Sequence, residues 1–152
     1  MSLKCSIVTL CFSLLYSFVL FSSVADSSKL QNKFDRKGMR HGRWNFYYDD
    51  ANTKISMNGR FRHGREKGMW KYYTIGGEIY KEEKYKRFRS MIITVYYHKN
   101  GKISNEGKAK IADEKDGLHY YWNGDWKYYS EEGTHIKTII YKNGKVIKEI
   151  KY

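Results

Sequence analysis

The sequence predicts an all-β protein, an elongated antiparallel β-meander of successive hairpin repeats. An aromatic cassette, in which a glycine is followed two places on by a tryptophan and then by paired aromatic residues, occurs at residues 42–47, 68–73 and 124–129. Runs rich in β-branched and aromatic residues alternate with glycine-containing turn signals, and the chain contains no proline. Reuse of one short cassette is typical of an array of repeated structural units.

The N-terminal segment has the composition of a secretory signal peptide. Lys4 supplies a positive charge, residues 7–21 are mostly apolar, and small residues stand at 23–25, where a signal peptidase requires them. We therefore expect a helical signal peptide over residues 1–25, cleaved after Ala25, and an exported protein of the periplasm, cell envelope or extracellular medium. A retained transmembrane anchor is the alternative, although the apolar run is short and interrupted by hydroxyl residues.

The mature chain is expected to be strongly basic and free of cysteine. Both cysteines, Cys5 and Cys11, lie in the leader, and export without disulfides is typical of a bacterial envelope or medium. The only charged residue of the leader is Lys4, so the mature net charge is +12, one unit below the +13 of the whole chain. Such a surplus attracts lipid headgroups, surface glycans or nucleic acid, and a lysine-rich solvated surface is the alternative explanation.

A single repeat domain is predicted over residues 34–152, after a flexible segment at residues 26–33. The chain that remains after cleavage is long enough for one domain with its own core. Three pairs of anchor residues keep the same separation along the chain, namely Gly38 and Gly64, Gly42 and Gly68, and Trp44 and Trp70. A separation kept by three pairs indicates a duplicated unit.

Asn-Gly dipeptides flanked by β-formers predict hairpins, because both central residues of a type I′ turn need positive φ. These dipeptides occur at residues 58–59, 100–101, 123–124 and 143–144, and Gly76-Gly77 and Glu132-Gly133 take the equivalent place in other units. The predicted strands cover residues 43–48, 53–62, 69–74, 78–87, 91–98, 102–111, 117–123, 125–130, 134–142 and 145–151.

The third unit is degenerate. Ile92 and Thr94 stand where the glycine and tryptophan of the cassette belong, and residues 110–116 form an insertion before the last cassette. The aromatic run at residues 118–122 has no unique place in the repeat. A scaffold can lose one cassette and still fold, whereas a catalytic motif cannot be lost, so we interpret the cassette as structural.

These residues resemble the MORN repeat, in the variant form found in bacterial proteins labelled as YwqK-family antitoxins. The family pattern is matched over about residues 34–152, and in the second unit by Phe61, Gly64, Gly68, Trp70, Tyr72 and Tyr73. The resemblance implies an elongated antiparallel sheet of hairpins, a role in scaffolding, membrane association or phospholipid contact, and no catalytic residue. The antitoxin label implies a toxin partner, which an antitoxin normally meets in the cytoplasm.

The cassette residues divide into predicted structural anchors and predicted binding residues. Glycine lets the backbone turn or lets a ring lie close, and tryptophan supplies large buried area, so the anchors are Gly42, Trp44, Gly68, Trp70, Gly124 and Trp126. Adjacent residues of a strand point to opposite faces, so one tyrosine of each pair is expected to be exposed. An exposed tyrosine row with basic neighbours predicts a binding face made of Tyr48, Tyr73, Tyr97, Tyr129, Arg43, Lys71 and Lys127. Cross-strand tyrosine pairing that stiffens the sheet is the alternative.

No catalytic, metal or cofactor site is predicted. His41 and His63 lie in repeated Arg-His-Gly-Arg tetrapeptides, which indicate repeat geometry or an anion-binding turn because nothing in the sequence makes metal ligands converge there. The acidic run at residues 113–116 lacks the ligand spacing of a calcium loop. The sequence also contains no nucleophile motif and no phosphate-cradling glycine loop.

The predicted function is therefore that of a non-catalytic protein-binding or scaffold module, with a protein or peptide as the partner. Peripheral binding to anionic membrane lipids through a basic and aromatic face is the alternative, and antitoxin-like binding of a toxin protein is a further one. Nucleic acid and small-molecule substrates are not expected as partners.

Overall fold

A computed structural model describes residues 31–86 and 91–152, and these ranges consist of strands and turns without any helix. In the described ranges no helix is long and apolar enough to cross a membrane. The predicted signal peptide lies outside the described residues. The strands are β1 (Lys33–Phe34), β2 (Arg40–Tyr47), β3 (Ile55–Arg62), β4 (Arg65–Tyr73), β5 (Ile79–Tyr85), β6 (Met91–Tyr97), β7 (Ile103–Glu114), β8 (Gly117–Trp122), β9 (Gly124–Tyr129), β10 (His135–Lys142) and β11 (Lys145–Lys151).

All eleven strands belong to one open antiparallel sheet in meander order, which confirms the predicted all-β class and antiparallel meander. The strand order is β1-β2-β3-β4-β5-β6-β7-β9-β10-β11, and β8 pairs with β7 alone. The sheet begins at Lys33, one residue before the predicted repeat domain. The predicted strand boundaries agree with the observed ones to within a few residues, because β-formers and turn residues alternate along the chain.

The predicted insertion at residues 110–116 is not a loop. It extends β7 and turns back into β8, so that Ala109 pairs with Trp122 and Glu114 pairs with Gly117. β8 and β9 then run in the same direction along β7, and their junction is Asn123, whose N–H donates to the carbonyl of Lys108 at 2.8 Å. The aromatic run that had no place in the repeat is therefore β8.

Two kinds of turn connect the strands. His63-Gly64 and Asn143-Gly144 are two-residue turns in which both residues have positive φ, at 49° and 77° and at 51° and 78°. At the opposite ends of the strands, the units are joined by turns at residues 74–77, 98–101 and 130–133. In each of these turns the N–H of the last residue, a glycine, donates to the carbonyl of the first residue. Four predicted turns are thereby confirmed, at residues 76–77, 100–101, 132–133 and 143–144.

Two of the predicted Asn-Gly hairpin turns are wrong. Asn58 and Gly59 lie in the middle of β3, and Gly59 does not have positive φ. Asn123 and Gly124 lie at the junction of β8 and β9 rather than at a reversal of the chain. Gly59 serves the packing of the neighbouring strand, and Gly124 serves the path of the backbone between β8 and β9. Neither role can be recognised from a local dipeptide.

Tryptophan rings build a core within this single sheet. Trp44, Phe61 and Trp70 form one buried cluster, with Phe46, Met57, Tyr72 and Tyr85 packed against it. Trp126 is also buried, and its ring stacks on that of Trp122 with centroids 3.8 Å apart. The ring of Trp70 lies on the backbone of Gly59, and the ring of Trp126 lies on that of Gly107, so closely that a Cβ at either glycine would overlap the ring. Gly59 and Gly107 thus leave flat backbone surfaces on which the tryptophan rings pack.

The glycines of the cassettes have a different role from Gly59 and Gly107. Gly42, Gly68 and Gly124 have positive φ of 79°, 71° and 79°, and a Cβ built on any of them would meet no neighbouring atom. They therefore serve the path of the backbone, and the close contact with a ring is made by a glycine of the adjacent strand.

The ring-on-glycine contact predicts that Gly59→Ala destabilises the protein by about 1–3 kcal/mol, the usual cost of overpacking. Urea unfolding gives the free energy of unfolding. Trp70→Leu removes the ring, so the double variant is expected to lose less stability than the two single variants together. Strict additivity of the two losses would contradict the contact as the cause.

Candidate binding face and polar clusters

The sheet has two faces with different chemistry, and adjacent residues of one strand reach both. The front face carries the buried tryptophans Trp44, Trp70 and Trp126. The back face carries the basic residues Arg43, Lys71 and Lys127, each one place from a tryptophan along its strand. The predicted binding face is therefore the back face of the sheet.

One predicted tyrosine is out of register with the others. Tyr47, Tyr73 and Tyr97 pair with Ile55, Ile79 and Ile103 at equivalent places in the repeat, and Tyr129 pairs with His135. Tyr48 instead corresponds to Thr74. The N–H of each donates to a backbone carbonyl across the turn that follows it, Tyr48 to Lys54 and Thr74 to Glu78. The structural row is therefore Tyr47, Tyr73, Tyr97 and Tyr129. Tyr48 is 49% exposed, and its hydroxyl donates to the carbonyl of Tyr73 at 2.6 Å.

The tyrosines of this row are half-buried and most of their hydroxyls are occupied, which differs from the expected exposed row. Tyr97 donates to Glu82 Oε2 at 3.0 Å and Tyr129 donates to Glu106 Oε1 at 2.7 Å. Tyr73 makes a longer contact of 3.5 Å with Asn58 Oδ1. Burial, followed by the hydrogen bonds to the carboxylates, raises the pKa of Tyr97 and of Tyr129 to about 12. We call this row, in which the hydroxyls of Tyr73, Tyr97 and Tyr129 reach side chains of the neighbouring strand, the tyrosine ladder.

Two of the predicted basic residues lie beside carboxylates of the back face. Lys71 Nζ lies 3.4 Å from Glu82 Oε1. Lys127 is exposed and lies opposite Glu106 across β7 and β9. Both carboxylates also accept from tyrosines of the ladder, so these two lysines have acidic neighbours within the sheet.

Arg43 differs because its cross-strand neighbours are also basic. It lies opposite Arg60 across β2 and β3, and Arg60 lies opposite Lys67 across β3 and β4. We call Arg43, Arg60 and Lys67 the cationic row. All three are exposed, and none has an ion-pair partner among the described residues.

A buried carboxylate on the front face was not predicted. Glu83 is 2% exposed. Its Oε2 accepts hydrogen bonds from Tyr72 at 2.6 Å and Tyr85 at 3.1 Å, and its Oε1 accepts from Tyr120 at 3.0 Å and Lys81 at 3.3 Å. Burial and the adjacent Glu83 charge raise the pKa of Tyr72 and Tyr85 well above the usual tyrosine range. Glu83 is thus a hydrogen-bonding centre whose two oxygens are both used.

The position of Glu83 explains the degenerate cassette. Gly59, Glu83 and Gly107 are evenly spaced along the chain, and Thr94 pairs with both Glu83 and Gly107. In this unit, therefore, threonine replaces the tryptophan and glutamate replaces the glycine beneath it. Thr94 Oγ1 lies 2.9 Å from the hydroxyl of Tyr120, which β8 brings over from the extended hairpin. The even spacing was the sequence signal that could have found Glu83.

Two groups of side chains within the described residues could hold a metal ion. Asp35, His41 and His63 place their ligand atoms within 4.8 Å of one another, and so do Glu114, Asp116 and His119. Sequence spacing could not indicate that His41 and His63 converge, because His41 lies in β2 whereas His63 lies in the turn between β3 and β4. Asp35 was not among the predicted site residues.

A scan against protein-family models and searches of curated proteins and of solved structures found no match to this chain.

Loss of the Glu83 carboxylate is expected to destabilise the protein. Glu83→Ala removes the carboxylate acceptor of three tyrosine hydroxyls, two of them on the half-buried side chains of Tyr72 and Tyr85, and we expect a loss of about 3 kcal/mol in the free energy of unfolding. Glu83→Gln keeps an acceptor oxygen and should lose less. Glu149→Ala is a matched control, because Glu149 is exposed and its one ion pair within residues 31–86 and 91–152, with Lys137, is worth at most about 1 kcal/mol. Equal losses for Glu83→Ala and Glu149→Ala in urea unfolding would contradict the role of Glu83.

The raised tyrosine pKa values predict a loss of stability in alkali. A phenol whose pKa is near 10 in the unfolded chain and about 12 in the fold contributes its full stabilisation below pH 10, and that contribution disappears as the pH rises from 10 to 12. We expect the urea midpoint to fall across this interval. The Tyr97→Phe, Tyr129→Phe double variant should show a shallower fall, and an unchanged slope would contradict the assignment.

Proposed function

We propose that this chain is an exported, MORN-like, non-catalytic binding module that holds an acidic protein or peptide on its back face. The cationic row is the observation that carries the proposal. Like charges placed directly opposite one another on neighbouring strands destabilise a sheet, and Arg43, Arg60 and Lys67 are such neighbours. Carboxylates of a bound partner would neutralise these charges, so binding would remove a repulsion that the folded chain alone retains.

The tyrosine ladder supports the same proposal. Tyr97 and Tyr129 donate to Glu82 and Glu106 and hold these carboxylates beside Lys71 and Lys127, so the two acids do not neutralise the cationic row. Arginine also presents a planar fork that binds carboxylates through two hydrogen bonds. An acidic peptide laid across β2, β3 and β4 would therefore meet two guanidinium groups and one ammonium group in succession.

Binding to the face is favoured over addition of a strand at an edge. The edge strand β1 has two residues, which is too short to template a partner strand. β11 is longer but carries Lys145, Lys148 and Lys151, and charged residues of this kind discourage pairing at a sheet edge. The partner is thus expected to contact side chains rather than a free backbone edge.

The probe for the proposal is an oligoglutamate peptide, with a neutral peptide of equal length as its reference. We expect saturable, salt-sensitive binding that falls at least about tenfold, or about 1.4 kcal/mol, in the variant Arg43→Gln, Arg60→Gln, Lys67→Gln. The matched control is Lys145→Gln, Lys148→Gln, Lys151→Gln, which removes the same charge from β11. Equal losses in the two variants would show attraction by net charge alone and would overturn the proposal.

Peripheral binding to anionic lipids is the second candidate, because the same exposed cations suit a phosphatidylserine surface. Sedimentation with neutral phosphatidylcholine vesicles and with vesicles that also contain phosphatidylserine distinguishes lipid binding from peptide binding. If the cationic-row variant loses vesicle binding while its affinity for oligoglutamate is unchanged, the lipid function replaces the peptide function. An antitoxin-like role would be a case of protein binding in which the acidic partner is a toxin.

A further inference from the structure

Three separate segments of the N-terminal half bring Asp35, His41 and His63 together. Asp35 lies in the turn between β1 and β2, His41 lies near the start of β2, and His63 lies in the turn between β3 and β4. The two tetrapeptides with the sequence Arg-His-Gly-Arg thus have different local structures, yet their imidazole rings lie 5.1 Å apart. His63 Nδ1 lies 2.7 Å from Asp35 Oδ2.

Asp35 is held in place by its own turn. Its Oδ1 accepts hydrogen bonds from the N–H groups of Lys37 at 2.9 Å and Met39 at 3.0 Å. Its side chain is 14% exposed, so the orientation of the carboxylate is fixed by the backbone. The second oxygen, Oδ2, is directed at His63 and is the oxygen that remains for a ligand.

The turn that carries His63 is fixed to β2. The N–H of Gly64 donates to the carbonyl of Arg40 at 2.9 Å. His63 has φ of 49°, a conformation that a side chain other than asparagine or aspartate seldom adopts in such a turn. Its side chain is 57% exposed, so water reaches the side of the ring that faces away from Asp35.

We propose that Asp35, His41 and His63 form a binding site for a late first-row divalent cation such as Zn²⁺, with water in the remaining position. Imidazole nitrogens and one carboxylate oxygen are ligands that Zn²⁺, Cu²⁺ and Ni²⁺ accept. Ligand atoms that all lie within 4.8 Å of one another can each approach a central ion to about 2.0–2.2 Å with small side-chain rotations. The ion takes the place of the proton between His63 Nδ1 and Asp35 Oδ2.

The neighbouring arginine does not occupy the site. The guanidinium group of Arg40 lies over the rings of Trp44 and Phe61, 5.1 Å and 5.4 Å from their centroids. The general positive charge of the chain weakens cation binding at long range, and physiological salt screens that effect beyond about 8 Å. A bound ion would connect the turn after β1 with the turn after β3 and so fasten the short edge strand to the sheet.

The second group is a weaker candidate and serves as the comparison. Glu114, Asp116 and His119 come from one hairpin and supply a single imidazole. The side chain of Asp116 is 75% exposed and contacts His119 Nε2 at 2.7 Å, and among the described residues it has no backbone hydrogen bonds like those that orient Asp35. Imidazole is the better ligand for these metals, and the first group has two.

Calorimetric titration of the full chain with Zn²⁺ tests the site. We expect one saturable site per chain, and at least about a tenfold loss of affinity in each of His41→Gln, His63→Asn and Asp35→Asn. These substitutions preserve the backbone, because asparagine suits positive φ in the turn and retains a side-chain oxygen to accept the N–H groups of Lys37 and Met39. Circular dichroism checks that each variant is folded.

The control variant is Asp116→Asn, His119→Gln, which should bind Zn²⁺ with unchanged affinity. Shifts of the His41 and His63 ring signals in NMR spectra on addition of Zn²⁺ provide a readout that does not depend on heat. The proposal is overturned if the chain shows no saturable site, if the His41→Gln, His63→Asn double variant binds as tightly as the wild type, or if binding is lost only in the control variant.

Discussion

The packing of tryptophan rings onto glycines of the neighbouring strand is the contact on which the sheet depends. The described residues form one sheet without a second layer, so its apolar residues must be covered by side chains that lie along the sheet itself. Trp70 over Gly59 and Trp126 over Gly107 achieve this, because a ring can lie flat across a backbone only where no Cβ intervenes. Trp126 Nε1 also donates to the carbonyl of Lys108 at 3.0 Å, so burial of this ring leaves its N–H satisfied.

The unit without a tryptophan shows what happens when this contact is absent. Thr94 is too small to cover β5, and Glu83 stands where a glycine would have lain beneath the ring. A carboxylate buried in this place requires donors, and it receives them from Tyr72 and Tyr85 of the same face and from Tyr120 of β8. Only the lengthening of β7 and β8 makes Tyr120 available. The lost cassette and the insertion, which are separate irregularities in the sequence, are thus one structural solution.

The fold was largely predictable from sequence because its determinants are local. Strand identity follows from β-branched and aromatic runs, and most turns follow from glycines that reverse the chain. One wrong turn was at Gly59, where the glycine depends on a residue of another strand, and the other was at Gly124, where β8 and β9 meet end to end along β7. Gly59 is required by the ring of Trp70, and the dipeptide Asn58-Gly59 contains no sign of that partner. The same limit applies to the tyrosines that donate to Glu83 and to the convergence of Asp35 with His41 and His63, because register and topology, rather than spacing, decide which side chains meet.

Each strand contributes side chains to both faces of the sheet, but the acidic residues of the two faces have different surroundings. On the front face Glu83 is surrounded by donors and buried, which fixes the third unit. On the back face the acids Glu82 and Glu106 accept from Tyr97 and Tyr129. These two carboxylates also lie beside Lys71 and Lys127, whereas Arg43, Arg60 and Lys67 have no ion-pair partner among the described residues. The placement of the acids, and not only the composition of the chain, therefore leaves the charge of the cationic row uncompensated on the back face.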